Sequence, residues 1–567
     1  ERTTPPRSTG ELGRIGRGCE DGAEFPRVSD AERSSRFSDS RSARRPATGR
    51  SGRGSAAGRS RRPRAGWQGF GAAHRSVRAA RHDLLVLADP RPAIEGRSGR
   101  RAEIAMRGRS EEPPRRRKGP PDPPPRRGPA HGGPPVLTAK RPPPSARSVA
   151  LDVLDAVLGP ERRRLEEAFA SHPSFGELAP RDRQLARLLV VTVLRRMGEL
   201  DALAAPFLRF VPEPPRLRHI LRLGIAQLAI LGTPAHAAVH TTVELARHGH
   251  AKAVPMINAV LRRLAGRAAT RLAELDGARL DTPDWLWRSW VAAYGEATAR
   301  AIAEVHLREP PLDLVVRGDP AEAAAMLEAE PLWRDVVRRP VGGPIEELPG
   351  FAEGRFWVQD VAASLPARLL APRPGDRVID LCAAPGGKTV QLAAAGARVI
   401  AVDVSAPRLE RVRANLARLR LAAELVEADV TVWRPAAPAA FVLLDAPCTA
   451  TGTIRRHPDI AHHKRPADLA RMVELQDRLL DAAAAMLAPG GRLVYAVCSL
   501  QPEEGAPRIE ALLARTPGLV RDPIRPEELE GLPLAPDPSG AVRTLPCHWA
   551  ERGGMDGFYV ARLVRPS

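Results

Sequence analysis

The stretch Asp380-Leu-Cys-Ala-Ala-Pro-Gly-Gly-Lys-Thr389 constrains this chain more than any other. The apolar pair Val378-Ile379 enters it, and Val390, Leu392 and Ala393 leave it in a helical pattern. Strand, glycine turn and helix, in that order, form the first unit of a nucleotide-binding α/β sheet. Gly386 and Gly387 let the backbone turn tightly and approach a ligand with no side chain between. The helix that follows offers unpaired N–H groups at its start, which favour an anionic group there. A P-loop also ends in Gly-Lys-Thr, but it needs a glycine five positions before its last one. Cys382 occupies that position, and Pro385 stiffens the turn.

Alternating strand and helix patterns run on from residue 351. Strands are expected at 377–381, 398–402, 424–427, 441–444 and 492–497, with a closing strand at 557–563. Helices are expected at 406–419 and 468–487, the second broken by Pro489-Gly490-Gly491. This pattern predicts a doubly wound, Rossmann-like α/β domain over 351–567. Upstream, Leu217, Ile220, Leu221, Gly224, Leu228 and Leu231 keep helical spacing, as do Leu185, Leu188, Leu189, Val193 and Leu194. They predict an all-α domain over 145–266. Arg262, Arg263 and the arginines of 181–187 suit an RNA face or a solvated one. Residues 267–350, with Trp285, Trp287 and Trp290 in helical pattern and one strand at 312–316, read as a linker and a small α/β subdomain.

The net charge of +21 would suggest nucleic acid, but its distribution weakens the inference. Residues 1–140 hold about 32 Lys and Arg against about 15 acids, roughly +17, which leaves about +4 for the remaining chain. This Arg-, Gly-, Ser- and Pro-rich tail cannot bury enough apolar surface to offset its ordering entropy, and disorder is expected. The first methionine is Met106, so residues 1–105 are expected to be upstream sequence read in frame. Five cysteines without a C-x-x-C pair argue against a disulfide framework or a structural zinc and for a reducing, cytoplasmic setting. No apolar run reaches membrane-spanning length and no signal peptide is visible, so no membrane partner is expected. His457, His462 and His463 lack metal-ligand spacing with any cysteine; they read as surface or loop residues, and no metal is expected.

The residues that carry chemistry gather at strand ends. Asp403 closes the second strand about 20 residues after the glycine loop, where an acid suits the two hydroxyls of a ribose. Asp429 closes the third, where an adenine edge would lie. A ligand with one carboxylate and an adenosine fits this edge, and S-adenosylmethionine is such a ligand. Its expected contacts are Cys382, Ala383, Ala384, Pro385, Gly386, Gly387, Lys388, Asp403, Asp429 and Asp445. Asp445-Ala-Pro-Cys448 follows the fourth strand, and Tyr495-Ala-Val-Cys498-Ser499 ends the next. A lone cysteine is most often a small packing residue. Two at the ligand-binding edge of one sheet point instead to a nucleophile, since a thiolate attacks well even when only a few per cent is ionised.

The motifs DLCAAPGGKT, DAPCTATG, RRHPDI and YAVCS, with Phe356-Trp-Val-Gln-Asp360 and the closing strand, resemble the Sun/NOL family of RNA cytosine-C5 methyltransferases. The helical segment before them resembles a NusB-like RNA-binding domain. Val497 departs from the family, which has Thr before its catalytic cysteine. The resemblance implies S-adenosylmethionine as cofactor, ribosomal RNA of the small subunit as substrate and a monomeric enzyme. It also implies that Cys498 attacks C6 of the cytosine and that Cys448 assists release. The target base must leave its stack to admit that attack. Arg455 and Arg456, in RRHPDI, are expected to hold phosphates beside it. Transfer RNA as substrate, or an RNA-binding regulator with an inert catalytic half, are the rival readings.

Overall fold

The computed structural model describes residues 144–567. The expectations for the tail over 1–140 lie outside the described residues.

Seven helices form the first layer, from Ala146–Leu158 through Pro180–Arg195 and Pro215–Ala229 to Val254–Leu264. Local chemistry starts them. Ser145 caps the first, its hydroxyl accepting from the Ser148 amide at 3.2 Å, and prolines open two others at Pro180 and Pro215, where a missing N–H is harmless. Leu154, Leu189, Val193, Ile220 and Leu261 are fully buried or nearly so in one apolar core. Burying each stabilises by roughly 1.5–3 kcal/mol.

Residues 267–350 are more than a linker. Helices Asp284–Tyr294 and Glu296–His306 pack together, and a four-stranded antiparallel sheet follows. Its strands are β1 (Leu312–Val316), β2 (Glu330–Trp333), β3 (Val336–Arg339) and β4 (Phe356–Val358), in the order β2-β3-β1-β4. A boundary drawn at residue 351 cuts this sheet, because β4 pairs with β1 from beyond it.

The second sheet holds β5 (Arg377–Leu381), β6 (Arg398–Asp403), β7 (Glu424–Glu427), β8 (Ala439–Asp445), β9 (Leu487–Val497), β10 (Val520–Arg521), β11 (Val542–Arg543) and β12 (Tyr559–Val564). Their order is β10-β12-β9-β8-β5-β6-β7, with β11 on β12. β5 to β9 pair in parallel, and β12 joins β9 antiparallel. Val378, Ile379, Val402 and Val442 to Leu444 are fully buried, the continuous apolar run expected of strands covered on both faces. The chain turns in opposite directions after β5 and after β8. A crevice therefore opens at their C-terminal ends, where ligands bind in such sheets. The helix before β9 ends at Ala485, ahead of Pro489, and β9 runs through that proline from Leu487.

Candidate active site

The glycine loop crosses the top of β5. Cys382 and Gly386 both take left-handed backbone angles, φ +59° and +102°. A Cβ on Gly386 would stand 2.9 Å from the Val412 side chain, so glycine is required there for space as well as conformation. Helix Gly387–Ala394 then begins with no acidic residue in its first turn. Its exposed amide end meets no carboxylate of its own.

Asp403, at the tip of β6, is nearly buried and holds this loop. It accepts from the Ala384 amide at 3.1 Å and from the Ser405 amide at 3.1 Å, with Arg408 at 3.4 Å. Asp429 is exposed beyond β7 and accepts from the Thr431 amide and hydroxyl, which lower its pKa. Behind the loop, the Thr389 hydroxyl donates to the fully buried Asp380 at 2.6 Å. Burial pushes the Asp380 carboxyl up to about 7.

Lys388 crosses from the loop to β8. Its ammonium donates to Asp445 at 2.6 Å and lies 5.1 Å from the Phe558 ring centre. Burial works against its charge, but Asp445 and the nearby Cys498 hold its pKa above the ordinary lysine value. Beside this pair, the sulfurs of Cys448 and Cys498 are 3.5 Å apart. They come from loops on adjacent parallel strands, β8 and β9, and both are half-buried. Contact with Cys498, then burial, raises the Cys448 thiol well above its usual pKa, and Glu504 adds to the rise. Burial likewise raises the Cys382 thiol. Among the described residues no cluster of His, Cys, Asp and Glu could hold a metal ion.

Two loops stay parallel after the cysteines. The Gly452 amide donates to the Cys498 carbonyl at 3.1 Å, and the Leu500 amide to the Thr451 hydroxyl at 3.0 Å. Gly452 is obligatory: a Cβ there would lie 1.9 Å from the Gly557 carbonyl oxygen. Helix Asp284–Tyr294 braces the same region from outside. Trp290 donates to Gln501 at 3.2 Å and Tyr294 to the Leu500 carbonyl at 2.5 Å. These supports were not foreseen from sequence; only the unusual tryptophan density of that helix hinted at a buried role.

Arg455 and Arg456, expected to hold phosphates, turn into the protein. Arg455 is fully buried and donates to the carbonyls of Gly553 and Gly554 at 3.1 and 3.0 Å. Arg456 donates to Asp360 at 2.6 Å and lies 3.3 Å from Asp556 and 3.7 Å from Asp313. The two guanidiniums bind β1, β4 and the 553–556 segment into one charge cluster. His462 and His463, expected at the surface, reach the carbonyls of Leu194 and Val157 at 2.8 and 2.9 Å and so seat the all-α layer. His457 is exposed, as read from sequence.

A doubly wound sheet, a glycine turn on its first strand and an acid at the tip of its second define a Rossmann-like methyltransferase fold. A family model described as 16S rRNA methyltransferase RsmB/F matches residues 367–564, and one described as NusB family matches residues 144–266. Ribosomal RNA small subunit methyltransferase B of Xanthomonas campestris pv. campestris is 39% identical over 445 residues, 75% of this chain and 98% of its own length. The protein of the same name from Thermus thermophilus is 39% identical over 68% of this chain and 89% of its own. The crystal structure of PH0851 shares the fold, with a TM-score of 0.58 over 74% of this chain and 98% of that one at 23% identity. This chain belongs to the RsmB/F family of 16S rRNA methyltransferases and carries a NusB-family domain ahead of the catalytic sheet.

Proposed function

We propose that this chain transfers a methyl group from S-adenosylmethionine to C5 of a cytosine in small-subunit (16S) ribosomal RNA, acting as a monomer in the cytoplasm. The observation that carries the reading is the pair of sulfurs, Cys448 and Cys498, 3.5 Å apart at the crevice. One thiol is enough to attack a base; two in contact suit a reaction that must both form and dismantle a covalent link. The family membership and the identically named relatives support the RNA substrate.

The donor set fits the cofactor. The loop from Cys382 through Ala383, Ala384, Pro385, Gly386 and Gly387 to Lys388 presents backbone without bulk, and helix Gly387–Ala394 offers amide ends to a carboxylate. Asp403 and Asp429 lie along the edge where ribose and adenine belong, and Asp445 and Lys388 stand between that edge and the thiols. When bound, S-adenosylmethionine supplies an electrophilic methyl group.

C5 of cytosine is too weak a nucleophile by itself. The Cys498 thiolate adds to C6, forming a C–S bond and moving the electron pair of the 5,6 double bond onto C5. After C5 has gained its methyl group, its proton must leave. That electron pair rebuilds the double bond, the C6–S bond breaks and the thiolate returns to Cys498. Cys448 is the nearest base. In the free enzyme the adjoining Cys498 resists its ionisation. Once Cys498 is a thioether its share of that resistance is gone, with burial and Glu504 remaining; Cys448 then loses its proton to solvent and takes the one from C5.

The two cysteines fail differently on this reading. Cys498→Ala forms no adduct and transfers no methyl group. Cys448→Ala attacks and stalls as a covalent protein–RNA complex, seen as a slow band on a denaturing gel. An adduct with Cys498→Ala and none with Cys448→Ala would exchange the roles. Full activity in both would remove the thiols from the mechanism. Label passing from the cofactor into transfer RNA rather than ribosomal RNA would reassign the substrate.

A further inference from the structure

Glu504 lies in a short helical turn, Pro502–Glu504, six residues beyond Cys498, and its side chain is fully buried. It touches neither sulfur in the hydrogen-bond network, yet it is bonded to both cysteine loops. One carboxylate oxygen accepts from the Thr449 amide at 2.9 Å and from Gln476 at 3.0 Å. The other accepts from the hydroxyls of Thr449 and Ser499, at 2.5 Å each. Thr449 follows Cys448 and Ser499 follows Cys498. Gln476 also donates to the carbonyl of Pro447, the residue before Cys448, at 2.9 Å. The Glu504 carbonyl accepts from Tyr495 of β9 at 2.8 Å. One carboxylate thus takes four hydrogen bonds inside the protein, three of them from residues adjoining the thiols.

Fully buried carboxylates are expensive unless fully bonded, and here the four donors around Glu504 supply those bonds. Resting on the roles proposed above for the two thiols, we propose that Glu504 is a positioning residue that locks the Cys448 loop to the Cys498 loop and times the release step by its negative charge. The geometry gives the lock: Thr449 and Ser499 meet each other at 2.9 Å, and Glu504 accepts from both, closing the bridge between the two loops. The charge gives the timing: a buried negative group close to Cys448 disfavours a second one on its sulfur. Glu504 is among the groups that raise the Cys448 thiol. Cys448 stays protonated while Cys498 attacks, and becomes a base only after capture.

The test follows the covalent adduct in the full-length protein with small-subunit ribosomal RNA and S-adenosylmethionine, across pH. In Glu504→Gln the amide nitrogen faces either the Thr449 amide or the two hydroxyls, which must then accept and turn their own protons elsewhere; the charge is gone. Adduct formation persists, its lifetime at optimal pH lengthens about tenfold or more, and the pH midpoint of release moves down. Thr449→Val removes two bonds, to Glu504 and to Ser499, but keeps the charge; it lengthens the adduct lifetime without moving the midpoint, and it carries the test if Glu504→Gln does not fold. A purely structural Glu504 would lower folded yield and leave the midpoint unmoved. Unchanged lifetime in both variants, while Cys448→Ala still traps the adduct, overturns this proposal and leaves the roles of the thiols standing. Normal release in Cys448→Ala overturns the thiol roles and the proposal together.

Discussion

The cofactor edge of the sheet and the arginine cluster behind it are both dense in charge, but they differ in what the charges face. At the edge, Asp429 is exposed, and Asp445 keeps 31% of its side chain open while paired to Lys388. Behind it, Arg455, Arg456, Asp313, Asp360 and Asp556 face each other, with side-chain exposures from 0 to 18%. An open charge retains lone pairs or protons for a ligand. A sealed cluster faces inward, and its members hold segments of chain together. Sequence motifs do not distinguish the two, because RRHPDI is as basic as a phosphate site and follows Cys448 just as closely as one would.

The largest expected effect breaks the sealed side. Arg456→Met removes the cation nearest Asp360, leaving Arg455 at 3.6 Å from Asp360 and Arg338 on Asp313, and removing one partner of a buried pair costs about 3–5 kcal/mol. Urea unfolding should show that loss. Arg456→Gln, which removes the charge, should leave the slope of RNA affinity against salt unchanged, because that slope counts phosphate contacts. A shallower slope would return Arg456 to the RNA face and erase the contrast.

Next is the sheet edge, where Asp403 is itself nearly buried. Asp403→Ala should weaken S-adenosylmethionine binding, by about 1.5–3 kcal/mol for lost charge-assisted hydrogen bonds, with RNA affinity largely kept. Calorimetry reads it directly. Since Asp403 also accepts from the Ala384 amide, part of the loss acts through the loop. Unchanged cofactor affinity would remove Asp403 from the ligand edge.

The last effect is a slope, not a level. Asp380 is held up to about 7 by burial, against 3.8 when unfolded. The native state therefore keeps a proton that the unfolded state has lost. Its contribution makes stability fall as pH rises from about 4 to 7, then level off. Asp556, also held up to about 7 by burial and by Asp360, acts in the same window. Asp360 is held below the usual carboxylate range, with burial opposed by Arg456 and Arg455, so its contribution is lost only at lower pH. Asp380→Asn should flatten the curve between about pH 4 and 7 but leave the share of Asp556. An unchanged curve would mean that Asp380 is charged at neutral pH in the folded protein.

Much of the catalytic half was legible as local pattern. Val378-Ile379 before Gly386-Gly387 specified a strand and a turn because apolar period and glycine act over a few residues. The helix expected at 406–419 appears as Ala406–Leu419 for the same reason. The strands Glu330–Trp333 and Val336–Arg339 were missed: each is four residues long, and their pairing with Leu312–Val316 is a tertiary fact. The two cysteines were visible as strand-end residues, but 50 positions separate them, and only the parallel pairing of β8 with β9 brings their sulfurs to 3.5 Å.

By itself, then, the sequence determined the order of strands and helices, the glycine turn and the residue types capable of thiol chemistry, all short-range consequences of backbone and side-chain preference. Tertiary structure alone decided which charges are sealed and which remain open. Arg456 is a scaffold residue because Asp360 and Asp556, 96 and 100 residues away in the chain, close on it. Glu504 gains its place because two loops fold around its carboxylate. Burial and charge pairing depend on what arrives from elsewhere in the chain, and no local pattern carries that information.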